Sequence, residues 1–318
     1  AALLAIIAGF SFASGGIPSA FEKAKILVRV GVSPLTRDED LSELERSGEV
    51  LLEFRGQGGC LGCPDVGRPE SLVGWDAEAL SAVFASGLHN FESVGALPET
   101  ALARRMSRGV GRVMLFRGEE GGQSPCTGTL ISQEHVLTAG HCFWDNESTA
   151  SQFGEEIAYT RAELHLGFLE GGSRSPAGTR FVSVCLSPKP AEVCNKGQCS
   201  HGTPGRVDYA ILQIDKSLDR MATKSETCAA AWNRATSRAY GYRPLDLAAM
   251  TLAEGSELMM LHHPGGQRQM LTRRNCKVLK RASGADVRHK CDTLQGSSGA
   301  PVISTAHEAV VGLHIEGF

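Results

Sequence analysis

The sequence has no long run of charge of one sign and no apolar stretch long enough to span a bilayer. Its 318 residues carry a formal charge of only −3, so the basic footprint of a nucleic-acid binder is missing. Aromatic residues amount to 6%, and no internal repeat is convincing enough to use. The pair Cys60-x-x-Cys63 has no second Cys-x-x-Cys and no nearby His to complete a metal site. A structural bridge or two free thiols is the expectation there, over a redox or half-metal motif. No metal and no cofactor is expected elsewhere, and no nucleic acid as partner. What the chain does have is glycine, 37 residues of it, which suits a turn-rich β protein better than a helical bundle. The length allows one large or two medium domains with a sizeable core.

The N-terminus, "AALLAIIAGFSFASGG", has an apolar run about as long as a signal-peptide core, too short and too rich in small residues for a membrane span. Ser11-Phe12-Ala13 then supplies a small-x-Ala cleavage pattern. No Met and no basic stretch precede it, so residues 1–14 read as the remnant of a signal peptide clipped at its start. A buried strand or helix is the other reading. Ten cysteines behind an export signal imply an oxidising compartment. The expected location is therefore secreted or periplasmic, with no membrane in the mature form. Cys276 with Cys291 is one candidate bridge, and Cys185, Cys194, Cys199 and Cys228 can form two more.

The texture changes along the chain. "TRDEDLSELERSG" opens on Thr36 as an N-cap, with Glu39 three residues on, and stops at Gly48. "DAEALSAVFASG", from Asp76 to Gly87, and "PETALARRMSRG" repeat that logic, while "KILVRVGV" and "EVLLEF" read as strands. Residues 15–108 thus form a small mixed α/β segment ending in Arg104, Arg105 and Arg108. From about Val110 short strands alternate with Gly, Pro, Ser and Asn clusters. One group runs from "RVMLFR" to "RVDYAILQI" and a second from "SELMMLHH" to "AVVGLHI", joined by a polar, partly helical connector. Two groups of about six strands predict an all-β body over residues 109–318, built of two six-stranded antiparallel β-barrels side by side.

Three stretches hold the parts of a nucleophilic site in the order His, Asp, Ser. A serine hydroxyl needs a base to take its proton, and the base needs an acid to fix its tautomer. "HVLTAGHCFW" offers His141. "RVDYAILQID" offers Asp208, the only acid inside an otherwise apolar strand. "CDTLQGSSGAPVI" offers two adjacent serines. Singly, each is ordinary; together, in a β-rich exported chain, they point to hydrolysis.

These stretches resemble the chymotrypsin-like (trypsin-fold) serine proteases. "LTAGHC" is close to that family's "TAAHC", "DYAIL" to its D-[IFY]-A-[IL]-[IL] strand and "GSSGAP" to its G-D-S-G-G-P. The likeness covers about Val110 to Phe318, and nothing recognisable covers residues 15–105. It implies His141 as base, Asp208 as its orienting acid and Ser298 as nucleophile, with Ser297 in the variable place. The rival elbow G-x-S-x-G fails at Ala300. It further implies an oxyanion hole from the backbone N–H groups of Gly296 and Ser298, polypeptide substrates, and a bridge between Cys126 and Cys142 beside the histidine.

The match also departs from the family. Zymogens of the trypsin type carry Asp before the nucleophile to capture a new N-terminal ammonium, whereas here Ser297 stands there. Ser in that place, and "HHPGG" from His262, resemble bacterial branches such as the glutamyl endopeptidases. His262 and His263 read as a strand end leading into a Pro-Gly turn, not as metal ligands. Residues 15–108 read as a propeptide, released near Arg104, Arg105 or Arg108 and then a possible partner of its own protease, or as a permanent accessory domain. Specificity is left open among Asp292, Thr293 and His314. Asp292 stands where trypsin binds Lys or Arg, and tips the reading slightly toward basic substrates. His314, with Thr293, stands where glutamyl endopeptidases bind an acidic side chain. The family continues past the strand that ends here, so a domain cut short at Phe318 is expected. The alternative to an enzyme is a protease-fold binding or regulatory protein. A third reading puts the function in the N-terminal Cys-x-x-Cys segment.

Overall fold

The computed structural model describes residues 90–118, 123–145, 155–156, 159–169, 181–195, 198–199, 208–217, 226–238, 240–248, 252–281 and 287–315. The signal-peptide remnant, the helices expected near 36–48 and 76–87, and Cys60 and Cys63 lie outside these residues.

The described chain starts with strand β1 (Phe91–Ser93) and the short helix α1 (Leu102–Met106). Strands β2 (Val110–Phe116), β3 (Gln123–Leu130) and β4 (His135–Thr138) follow as an antiparallel meander. A hairpin of β5 (Trp144–Asp145) and β6 (Glu155–Glu156) precedes β7 (Arg161–Leu166) and β8 (Val182–Leu186). A second hairpin, β9 (Glu192–Asn195) with β10 (Gln198–Cys199), leads to β11 (Tyr209–Gln213). Helix α2 (Cys228–Thr236) then separates this half from β12 (Leu258–His262), β13 (Met270–Thr272), β14 (Val278–Arg281), β15 (Val287–His289), β16 (Pro301–Ser304) and β17 (Ala309–Leu313).

The first sheet runs β11-β4-β3-β2-β7-β8, with β9 and β10 added beyond β11. It curls until β8 meets the end of β11 through the Leu186–Ile214 bridge, where Ser187 N donates to Gln213 O at 2.9 Å. Six strands therefore close a barrel around Val113, Leu115, Leu130, Val136, Leu164 and Leu212, all fully buried. Helix α2 packs against β8, whose Val-Ser-Val-Cys-Leu is buried at every residue. The second half sets β13-β12-β16-β17 in one sheet and β14-β15 in another, tied by the Glu257–Lys277 bridge. The molecule is thus mostly β, with curled antiparallel sheets and, among the described residues, two α-helices, as the sequence predicts.

Helix α2 shows how the connector attaches. Thr227 caps it by accepting the Ala230 N–H at 3.2 Å, which satisfies an end donor that the helix cannot. Cys228, Ala231, Trp232 and Ala235 form the apolar stripe that packs on the first barrel. Cys228 is also bonded to Cys185 of β8. Two more bridges, Cys126–Cys142 and Cys276–Cys291, are formed, and Cys199 stands opposite Cys194 in the β9–β10 register. These match the sequence expectations.

The boundary drawn at 108/109 does not fall at an edge of this body. β1 extends the second sheet by pairing with β13, Phe91 opposite Thr272. Ala103 and Met106 of α1 are buried with Leu245, Met259 and Ile303. Arg104 and Arg108 are tied to Glu99 at 2.8 and 3.0 Å. Local helix signals were legible in this stretch, but the register that joins it to residues some 180 positions later was not.

Candidate active site

His141 lies on the turn Gly140–Cys142 directly after β4, anchored by the Cys126–Cys142 bridge. β4 pairs with β11 so that Thr138 faces Ala210, and continuing that register carries Asp208 up to the turn. Both carboxylate oxygens are used there. Asp208 Oδ1 accepts the His141 backbone N–H at 2.8 Å, and Oδ2 accepts from Nδ1 at 2.6 Å. A carboxylate only accepts, so the ring proton sits on Nδ1 and the lone pair is left on Nε2. The His141 side chain is 28% exposed and Asp208 15%, so the pair is neither flooded nor sealed.

Ser298 sits in the turn that leads into β16. This turn is held against the first barrel by Thr127, the neighbour of Cys126. Thr127 N donates to Ser298 O at 2.8 Å, Thr127 Oγ1 donates to Gly296 O at 2.8 Å, and His263 N donates to Thr127 Oγ1 at 3.0 Å. Gly299 is so close that an added Cβ would lie 2.1 Å from Thr127 O and 2.9 Å from Ala139 N. Ala139 is two residues before His141, so the serine turn and the histidine turn abut at the seam. Gly299 also has a φ of +85°, a left-handed conformation that side chains disfavour. Gly299→Ala is therefore expected to cost more than about 2 kcal/mol in a urea melt.

Within the turn the amides are used unequally. Ser297 N, Gly299 N and Ala300 N donate to Leu294 O, His314 O and Ser297 O at 2.9, 2.7 and 2.9 Å. The N–H groups of Gly296 and Ser298 find no acceptor among the described residues. Gly296 holds a φ of +89°, and a Cβ there would lie 2.6 Å from His263 O and 2.8 Å from Gly266 N. The Pro264–Gly266 turn thus packs under the amides, and Gly265 N donates to Gln295 O at 2.6 Å. Arg112 of β2 holds this turn from the other barrel, donating to Gly266 O at 2.6 Å while its guanidinium lies 4.1 Å from the Phe168 ring centre.

The three specificity candidates fare differently. Asp292 accepts the Asn90 backbone N–H at 2.6 Å, a contact that fixes the start of β1. Thr293 is partly exposed. His314 is 2% exposed, and its Nδ1 lies 3.1 Å from His289 Nε2. The tautomers of this pair follow from one amide. Cys291 N–H donates to His289 Nδ1 at 3.1 Å. His289 therefore carries its proton on Nε2 and donates to His314 Nδ1, which leaves His314 with an Nε2–H donor. The ring of His314 bonds to His289. His289, Thr127 and Asn90 were not singled out from sequence.

Burial holds several groups away from their ordinary values. It pushes His289 down to about 4 and holds His314 and His263 well below the usual histidine range. For Glu163 burial acts to raise the value, yet hydrogen bonds from His165 and Ser183 and the charge of Arg161 win and hold it at about 2. The signs separate two windows. A histidine with a lowered native pKa stabilises the fold fully above its ordinary 6.5 and loses that contribution as pH falls toward about 4. Glu163 keeps its contribution above 4.5 and loses it only as pH falls toward about 2. The urea midpoint is therefore expected to fall between about pH 7 and pH 4.5 through the histidines. His289→Phe should flatten that fall; an equally steep fall in the variant would contradict the assignment.

A model of the trypsin-like peptidase domain matches residues 126–313, more than half of the chain. The protein belongs to this family of trypsin-like peptidases. Among solved structures it is similar to a Glu endopeptidase in complex with MPD, at 18% identity and a TM-score of 0.42, over 67% of this chain and 80% of that one. It is also similar to a thermostable serine protease, AL20, from an extremophilic microorganism, at 17% and 0.41 over 67% and 86%. A protease from M. tuberculosis in its active form gives 16% and 0.40 over 68% and 74%. No curated protein sequence matches the chain.

Proposed function

We propose that the protein is a serine endopeptidase in which Ser298 attacks the scissile carbonyl. His141 Nε2 takes the hydroxyl proton and returns it to the leaving amine. Asp208 holds the ring and stabilises its cation. The N–H groups of Gly296 and Ser298 receive the oxyanion, where each such donor is worth about 3 kcal/mol. The acyl-enzyme on Ser298 is then hydrolysed by water in the reverse sense. The observation that carries this reading is the double contact of Asp208 with His141 at 2.8 and 2.6 Å. It fixes the one tautomer in which Nε2 is a base.

The pocket reading is for acidic side chains. Asp292 Oδ2 accepts the Asn90 N–H, which ties this carboxylate to the start of β1 and argues against the lean toward basic substrates that the sequence alone suggested. His314, held as an Nε2–H donor by His289, offers a hydrogen bond to a carboxylate, and the bound charge would draw a proton onto the pair. A peptide library is expected to show cleavage after Glu or Asp over Lys or Arg. His314→Ala should reduce that preference about 10- to 100-fold, the worth of a hydrogen bond to a charged group. Preference for Lys or Arg, or an unchanged preference in the variant, would overturn the assignment.

Three formed disulfides support an oxidising location, secreted or periplasmic. Among the described residues no helix is long and apolar enough to cross a membrane. Residues upstream of Asn90 are proposed as the propeptide or accessory part, because β1 and α1 are built into the protease body.

A further inference from the structure

His262 is fully buried and lies outside the His141–Asp208 pair, yet it bonds directly to the residue beside the nucleophile. Its Nδ1 lies 2.7 Å from Ser297 Oγ and its Nε2 3.0 Å from Thr272 Oγ1. Both ends of this chain return to the loop that carries the site. Leu294 N–H donates to Ser297 Oγ at 3.2 Å, and Thr272 Oγ1 donates to Asp292 O at 3.1 Å. An amide can only donate and a carbonyl can only accept, so every bond between them has one allowed direction. The Ser297 hydroxyl donates to His262 Nδ1, and His262 Nε2–H donates to Thr272 Oγ1. All three side chains are 0% exposed. β1 closes the arrangement, with the Phe91 ring edge-on to His262 at 5.2 Å and Asn90 on the Asp292 carboxylate.

Resting on the nucleophile reading above, we infer that His262 is a positioning residue whose uncharged relay through Ser297 and Thr272 locks the 292–298 loop with the Gly296 and Ser298 amides aimed at the oxyanion. The relay stands where an ion pair to a new N-terminal ammonium would otherwise be needed. It requires no new N-terminal charge, so the loop is set within the fold, by β12, β13 and β1 together with the Thr127 anchor. A lone pair on Nδ1 is essential to it, because a second ring proton would reverse the Ser297 contact and take away the acceptor of the buried Ser297 O–H. A partly satisfied buried network is costly, so losing one member should let the loop drift.

The test uses the whole protein. His262→Phe keeps the ring and removes both bonds, and kcat is expected to fall about 10- to 100-fold with KM within about twofold, as for a mis-aimed oxyanion donor. Ser297→Ala should give a similar loss, and the double variant should lose no more than the worse single one. His262→Asn, whose amide oxygen can sit where Nδ1 stands, should recover part of the rate. Selective acetylation of the α-amino group should leave kcat within about twofold of the untreated enzyme. A folded His262→Phe or Ser297→Ala protein that melts lower but keeps wild-type kcat would show a merely structural role. A large loss on acetylation would restore the ammonium switch. Should His262→Phe fail to fold, Thr272→Val and Ser297→Ala carry the same readout. Fluorophosphonate labelling separates the two claims. A wild type that takes no label at Ser298 defeats the nucleophile reading itself, whereas variants labelled as fast as wild type defeat only the relay.

Discussion

Ser298→Ala is expected to lower kcat by about a million-fold, to the level set by binding and the oxyanion amides alone. The size follows from what is lost. Without the hydroxyl no acyl-enzyme forms, and His141 has no proton to take from the protein. The turn itself should survive, because its anchors are backbone groups: Ser298 O on Thr127 N, and Gly299 N on His314 O. A folded, bridged and nearly inactive protein is therefore the expected product, checked by near-ultraviolet circular dichroism and steady-state kinetics. Ser297 cannot take over, since it is fully buried and its oxygen is bonded to Leu294 N and His262. A Ser298→Ala protein retaining more than about a hundredth of wild-type kcat would place the nucleophile elsewhere.

Asp208→Asn is expected to lower kcat by about ten-thousand-fold while leaving the geometry in place. The carboxylate now accepts from both the His141 amide and Nδ1. An amide in its place can accept with only one atom and must donate with the other. If its NH₂ faces the ring, it forces the proton onto Nε2, which then has no lone pair for the serine. If its oxygen faces the ring, the NH₂ group opposes the His141 N–H. The first arrangement removes the base, and the second breaks a bond at the first barrel's edge. Cleavage of a good ester substrate with a stopped-flow burst would check this, because loss of the base slows acylation itself. A loss smaller than about a hundredfold would mean that the ring is oriented by something other than Asp208.

The strands of this fold were legible because each is a short apolar run cut by Gly, Pro or Asn, and barrel strands need no longer pattern. The proposed His, Asp and Ser positions come from the sequence because nucleophilic catalysis needs those three chemistries and the flanking residues are restrictive. "GSSGAP", for example, keeps Gly296 and Gly299 where φ is +89° and +85°. What the sequence did not disclose depends on register between distant elements. Asn90 meets Asp292 across 202 positions, and Thr127 holds residues 169 positions away. The contact of Asp292 with Asn90 depends on β1 lying on β13, which nothing local in the sequence records. His289 gives no local signal either. Its partner, His314, stands 25 positions away just after β17, and its tautomer is set by the Cys291 amide.

The sequence reads His262 and His263 as a strand end entering a turn, and β12 does end at His262 before the Pro264–Gly266 turn. Their rings nevertheless have separate jobs. His262 bonds to Ser297 and Thr272, while His263 donates from Nδ1 to Gln267 O at 2.8 Å and stacks near Phe168. A buried neutral histidine is a bent donor–acceptor link, and here it joins two chain segments that share no backbone ladder.

The most direct measurement of the central claim is peptide mapping of the processed protein after reaction with a fluorophosphonate. The account predicts one adduct per molecule, on Ser298 in the peptide that spans Cys291 to Ile303, formed at a rate that falls sharply in Asp208→Asn. An adduct on Ser297 or on a residue outside that peptide, or none on folded protein with the three described bridges intact, would contradict it.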